Sequence, residues 1–86
     1  MYIGKVIGHV VATKKDPKLV GHKLLIVSPL NREKEEQDSM VVAVDVVGAG
    51  RGEVVLLVKG STARMTVGTD SPIDAAIIGI VDIMEV

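Results

Sequence analysis

Five short segments rich in valine and isoleucine follow one another along a chain of 86 residues, and they constrain the fold more than any other feature. β-branched residues favour strands, and the apolar residues do not recur at helical spacing. The predicted strands cover residues 2–13, 22–30, 40–47, 54–60 and 77–86. Five strands in a single domain, residues 1–86, predict an all-β fold, a five-stranded barrel of the oligonucleotide/oligosaccharide-binding (OB) type.

One short helix is the only other regular element that the sequence predicts. In the segment "SPIDAA", residues 71–76, Ser71 is a good N-cap, Pro72 suits the first helical position, and Asp74 favours the positive end of a helix. The charged segment 31–39 has no apolar residue to bury and is predicted to be a solvated surface loop.

The chain carries more apolar residues than a small barrel can bury. Hydrophobic residues make up 48% of the sequence, and the mean hydropathy is +0.42. Small domains are marginally stable alone, and a chain without cysteine has no disulfide to stabilise it. The last predicted strand is apolar on both faces and therefore requires cover on both sides. These features predict that copies of the chain associate through apolar outer faces.

The segment "GAGRGE", residues 48–53, raises the question of a phosphate-binding loop. A dinucleotide fingerprint needs a third glycine, where this chain has Glu53, and a helix must follow. Here the following residues, 54–58, are strand formers, and no Gly-Lys-Ser/Thr ends the segment. We therefore predict no cofactor and interpret the segment as a β-hairpin between the third and fourth strands. Its surplus of glycines suggests that another segment of backbone approaches closely, and a neighbouring subunit is the candidate for that segment.

Three charged residues, Asp45, Glu53 and Arg64, lie within otherwise apolar segments. Two interpretations remain open: outward solvation or a single ion pair, and hydrogen bonding across an interface, where an unpaired charge is costly. The serines have no nucleophile-elbow context, and His9 and His22 lack metal-ligand spacing. The sequence thus predicts no catalytic set, no metal site and no enzyme.

Charge and aromatic content bear on nucleic acids and membranes as partners. The net charge is −1, and Tyr2 is the only aromatic side chain. Nucleic-acid-binding barrels use basic grooves and aromatic stacking, so an OB-like module that binds single-stranded nucleic acid or a small ligand is kept only as the alternative function. No segment reaches the roughly 18 apolar residues of a membrane span, and the N-terminus lacks signal-peptide features. A cytoplasmic location without membrane contact is the expectation.

The segment "AVDVVGAGRGEVVLLVKGSTAR", residues 43–64, closely resembles the signature of the bacterial microcompartment vertex proteins, which include carboxysome and ethanolamine-utilisation members. The family pattern is Asp-x-Val-Gly-Ala-Gly-x-Gly-Glu, then a strand, then Gly-Ser-Ser/Ala-Ala-Arg. Thr62 departs mildly from it. The opening segment 3–27 and the closing segment 68–86 resemble the corresponding parts of the family, so the similarity spans nearly the whole chain.

This resemblance implies a cyclic pentamer of small β-barrels that caps the fivefold vertices of a polyhedral protein shell. A ring of six remains an alternative to the pentamer, and the implied partners are further copies of the chain and the hexameric shell proteins. The candidate residues for subunit contacts or a pore near the axis are Asp45, Gly48, Ala49, Gly50, Gly52, Glu53, Gly60, Ser61, Thr62 and Arg64.

Overall fold

Five strands close into a barrel in the computed structural model, which describes residues 1–68 and 70–85. The strands are β1 (Tyr2–Val10), β2 (Lys23–Pro29), β3 (Val41–Asp45), β4 (Val54–Lys59) and β5 (Ala75–Ile80), with a 3₁₀ turn at Pro17–Leu19 and a helix, α1, at Ser61–Val67. Around the barrel the order is β1-β2-β3-β5-β4, with β4 closing onto β1. The predicted fold class, a five-stranded barrel with one short helix, is confirmed.

The barrel interior is filled by alternate residues of every strand. In β4, Val55 and Leu57 are buried while Leu56 between them is partly exposed, as expected for a strand with one face inward. The buried cluster consists of Val6, Leu25, Val27, Ala43, Ala49, Val55, Leu57, Ala75 and Ile77. A register shift between Val6 and Gly8 marks a bulge in β1, which bends the strand beyond the residues that pair with β4.

The helix does not lie where the sequence predicted it. Residues 71–74 form turns and bends, and β5 begins at Ala75, which pairs with Lys59 of β4. The helix instead follows β4 directly. Its Ala63 and Val67 pack against Val58 and the outer face of β5, so burial of this apolar pair outweighed the capping signal at residues 71–74. The i, i+4 spacing of Ala63 and Val67, bracketed by two glycines, was the signal available in the sequence.

The predicted hairpin between the third and fourth strands is also wrong. β3 pairs with β2 on one side and lies parallel to β5 on the other, through Val44 and Ala76. β5 therefore separates β3 from β4, and the glycine segment crosses an end of the barrel instead of reversing between neighbouring strands. Four strand ends also differ from the prediction by two residues or more, since β1 stops at Val10, β3 stops at Asp45, and β5 runs from Ala75 to Ile80. Val86 lies outside the described residues.

Candidate subunit-contact surfaces

The glycine loop, residues 46–53, closes one end of the barrel. Ala49 at its centre is fully buried and belongs to the interior cluster. At its far end, the N–H of Gly52 donates to the carbonyl of Val6 at 2.8 Å, and the N–H of Val6 donates to the carbonyl of Glu53 at 2.9 Å. The loop is therefore fixed to β1 by main-chain hydrogen bonds, and the buried methyl group of Ala49 fixes it to the core.

Asp45 anchors the near end of the glycine loop from inside. Its side chain is 1% exposed. Oδ1 accepts hydrogen bonds from the N–H groups of Val47 and Gly48 at 3.1 and 3.2 Å, and Oδ2 accepts one from the N–H of Ala49 at 2.8 Å. Lys23 Nζ lies 3.9 Å from Oδ2 and donates to the Ala49 carbonyl at 2.9 Å. The carboxylate is thus compensated within the chain, by three N–H donors and one ammonium group.

Glu53 satisfies the next N–H group of the same loop. Its Oε1 accepts a hydrogen bond from the N–H of Gly50 at 2.6 Å. The four consecutive N–H groups of residues 47–50 therefore donate to the chain's own carboxylates. A phosphate held by a glycine-rich loop would need such N–H groups for itself. These N–H groups instead stabilise the conformation of the loop itself.

The second group of candidates, Gly60 to Arg64, begins α1. The N–H of Gly60 donates to the carbonyl of Asp74 at 2.8 Å, and Arg64 Nη1 donates to the carbonyl of Ile73 at 3.3 Å. Both bonds tie the start of the helix to the connection that leads into β5. Ser61 and Thr62 are exposed on the first turn. Arg64 thus has a structural partner within the chain, and Ser61 and Thr62 are free to contact another molecule.

The two candidate groups lie at opposite ends of β4. The glycine loop precedes Val54 and the helix follows Lys59, so the strand separates them by about 20 Å at ~3.3 Å per residue. A single chain does not bring them together.

Outward apolar side chains form two strips that the sequence analysis did not assign to positions. The β2–β3 strip consists of Leu24, Ile26 and Val42; Ile26 pairs with Val42, which is 42% exposed. The β1–β4 strip consists of Ile3, Val54 and Leu56, in which Ile3 pairs with Leu56. The chain exposes 5463 Å², against about 4,900 Å² for a typical folded monomer of this mass. Placing these strips required the strand register, which composition alone does not provide.

A substitution at Gly52 tests the conformation of the loop. Gly52 has φ +90°, in the left-handed region, and open space where a Cβ would lie. We expect Gly52→Ala to lower the free energy of unfolding by about 1–2 kcal/mol, because a side chain is strained at this φ. The matched control is Gly50→Ala, whose φ is ordinary and whose Cβ would lie 3.4 Å from Glu53 Oε1; we expect it to change stability little. Equal stability of both variants in urea denaturation would contradict the assignment.

Within the described residues, no cluster of three or more His, Cys, Asp or Glu side chains could hold a metal ion. Across residues 1–68 and 70–85, no helix is long and apolar enough to cross a membrane. The only aromatic residue, Tyr2, has Lys59 Nζ above its ring, 4.3 Å from the centroid, so this ring face already has a cation on it.

Comparison with known proteins gives matches over the full length. The family described as "Ethanolamine utilisation protein EutN/carboxysome" matches residues 1–82. The bacterial microcompartment shell vertex protein GrpN of Rhodospirillum rubrum is 52% identical over 86 residues, which are 99% of this chain and 97% of GrpN. The carboxysome shell vertex protein CcmL of Synechocystis is 46% identical over 87 residues, covering 100% of this chain and 87% of CcmL.

A solved structure gives the same result for the fold. The GrpN pentameric microcompartment shell protein from Rhodospirillum rubrum superposes with a TM-score of 0.93 at 50% sequence identity. The match covers 100% of this chain and 99% of that one. The barrel described above, including its helix after β4, is therefore the fold of a protein whose structure is pentameric.

Proposed function

This chain belongs to the family of the ethanolamine utilisation protein EutN and the carboxysome protein CcmL, and from that premise we propose that it is a structural shell protein whose pentamers cap the fivefold vertices of a bacterial microcompartment. The observation that carries the proposal is the superposition on pentameric GrpN over the whole chain at 50% identity. The proposed role is structural and not catalytic.

The mechanism is geometric. A layer of sixfold units is flat, and it closes into a polyhedron only where fivefold units replace sixfold ones. A ring of five barrels supplies such a point when each subunit contacts the next head to tail and the rotation closes. The internal anchoring of the glycine loop suits this role, because a vertex unit must keep its contact surfaces rigid. Hexameric shell proteins are the proposed neighbours of the ring.

The candidate residues divide by their position in the fold. Asp45 and Ala49 are buried in their own chain, so we propose that they act by shaping the glycine loop. Gly48, Gly52 and Glu53 on the loop, and Ser61 and Thr62 on the helix, are exposed and are the proposed direct contacts between subunits. Gly50, Gly60 and Arg64 are partly buried and are proposed to support those contacts.

The binding of single-stranded nucleic acid is the weaker candidate function. A barrel of this type would stack bases on aromatic side chains and track phosphates with basic ones. In this chain Tyr2 is the only aromatic residue, and the Lys59 ammonium group already contacts its ring; the net charge is −1. No observation on this chain favours that function over assembly.

Native mass spectrometry of the purified chain tests the proposal. We expect a dominant species at five times 9.1 kDa. With hexameric shell proteins added, electron microscopy is expected to show closed polyhedra, and open sheets or tubes when the chain is left out. A stable monomer would contradict the ring, and a dominant species of six subunits would favour the sixfold alternative.

A further inference from the structure

The β1–β4 strip (Ile3, Val54, Leu56) and the β2–β3 strip (Leu24, Ile26, Val42) lie on different sides of one barrel. Around the barrel order β1-β2-β3-β5-β4, two strand steps separate the β4–β1 seam from the β2–β3 seam. In the other direction around the barrel, β5 lies between the two seams. Helix α1 covers part of the barrel there, through contacts with Val58 and Ala76. Within residues 1–68 and 70–85, these two strips are therefore separate outward apolar surfaces.

The register fixes which side chains point outward. In β2, Leu25 and Val27 are buried inside the barrel, so Leu24 and Ile26 face out. In β4, Val55 and Leu57 are buried, so Val54 and Leu56 face out. All six strip residues are apolar, and Val42 is the most exposed of them. In the described part of the chain, α1 packs elsewhere and leaves both strips without a covering helix.

A groove runs beside the β1–β4 strip. It has a volume of about 550 Å³ and a mixed lining: Leu30, Val54, Val81 and Met84 are apolar, and Lys5, Lys34, Glu35, Glu36 and Asp82 are charged. Gly52 of the glycine loop lines this groove together with Val54, so the loop, the groove and the strip adjoin. At the other end of β4, Thr62 lines a pocket with Tyr2 and Val58. On the other surface, Leu24 and Val42 of the β2–β3 strip line a pocket together with Leu19 and Ile73.

A ring of five identical subunits cannot be built from self-complementary contacts, because those close as pairs. Each subunit must present two different surfaces, and one must fit the other. We propose that the β2–β3 strip of one copy packs against the β1–β4 strip of the next copy, and that this heterologous contact is what closes the ring. This pairing rests on the proposed function, and it identifies the two surfaces through which the subunits of the ring contact each other.

Single glutamate substitutions test the two strips independently. Val42→Glu places a charge in the β2–β3 strip, and Leu56→Glu places one in the β1–β4 strip. A charge enclosed in an apolar contact without a partner is strongly unfavourable, so each variant is expected to run as a folded monomer of 9.1 kDa in native mass spectrometry. Ile26→Glu and Ile3→Glu serve as second variants of the same strips if either first variant loses its cooperative unfolding transition.

Val11→Glu is the matched control. Val11 is 79% exposed just beyond the end of β1, outside both strips and outside the proposed contact residues, and its substitution is expected to leave the ring intact. If it dissociates the ring as well, the assignment of the two strips is wrong. If the unmodified chain is itself monomeric, the proposed function fails, a result that the wild-type spectrum alone reveals.

A mixture of Val42→Glu and Leu56→Glu tests directly whether the two strips pair with each other. Each variant keeps one intact strip, so one copy of each can form a single native contact. The mixture is expected to contain a dimer with one copy of each variant and nothing larger. Recovery of a complete ring, absence of the mixed dimer, or rings formed by either variant alone would each overturn the proposed pairing.

Discussion

Replacing Asp45 by alanine is expected to lower the free energy of unfolding by about 3 kcal/mol, because one carboxylate accepts three main-chain hydrogen bonds and hydrogen bonds to charged groups are worth about 1.5–3 kcal/mol each when buried. The bond from Ala49 is the least accessible to water and dominates the loss; the N–H groups of Val47 and Gly48 can partly turn to solvent. Urea denaturation measures the change.

Two controls separate this local role from other effects. Glu53→Ala removes one bond at an exposed position and is expected to cost about 1 kcal/mol. In Asp45→Asn one oxygen remains as an acceptor, but the amide NH₂ group points its hydrogens at an N–H donor. We therefore expect a loss of stability between those of Glu53→Ala and Asp45→Ala. Amide hydrogen exchange on Asp45→Ala is expected to show protection lost first at residues 47–49. Wild-type stability of Asp45→Ala would contradict the anchoring role.

The sequence predicted the strands well, because β-branched residues mark extended segments wherever they pack. All five predicted strands are present, and the family resemblance at residues 43–64 indicated the closed barrel and ring that pentameric GrpN supports. The excess of apolar residues was also a correct signal, since Leu24, Ile26 and Val42 do face outward. These properties depend on local composition, which a single sequence displays directly.

The connections were not predictable in the same way. A glycine-rich segment between two strands is compatible with a hairpin and with a crossover, and the choice is made by β5, which arrives from more than 20 residues later and inserts between β3 and β4. The helix was misplaced for a related reason. The capping signal at Ser71 is local, whereas the burial of Ala63 against Val58 and Ala76 depends on sheet order.

The candidate site shows the same division between local and long-range information. Asp45 and Glu53 stood out as charges in apolar segments, and both proved to be fixed by hydrogen bonds. Their partners are N–H groups two to four residues away, a type of turn that acidic side chains stabilise. The sequence analysis left open outward solvation or a single ion pair and hydrogen bonding across an interface. It did not predict main-chain partners within the chain, because a sequence does not show which way each side chain points.

Gly4→Ala is expected to lower the free energy of unfolding by about 2–3 kcal/mol, because the interior at this point has no room for a methyl group. A Cβ on Gly4 would overlap Val27 Cγ1, and it would lie 3.0 Å from the carbonyl oxygen of Ser28 and 3.3 Å from Leu57 Cδ1. Two of these neighbours belong to the buried core, and the third is main chain, so none can move aside cheaply. The smaller entropy of the unfolded alanine chain offsets less than about 1 kcal/mol of the loss.

Gly8→Ala on the same strand is the matched control for Gly4→Ala. Its Cβ would meet only Ile26 Cδ1, at 3.6 Å, an ordinary contact, so its stability is expected to stay within about 0.5 kcal/mol of the wild type. A double variant, Gly4→Ala with Val27→Ala, removes the overlapping methyl group and is expected to be more stable than the sum of its single changes by at least about 1 kcal/mol. Additive losses would mean that Gly4 is required for a reason other than its contact with Val27, and the close approach of β1 to β2 would then not explain why a glycine occupies this position.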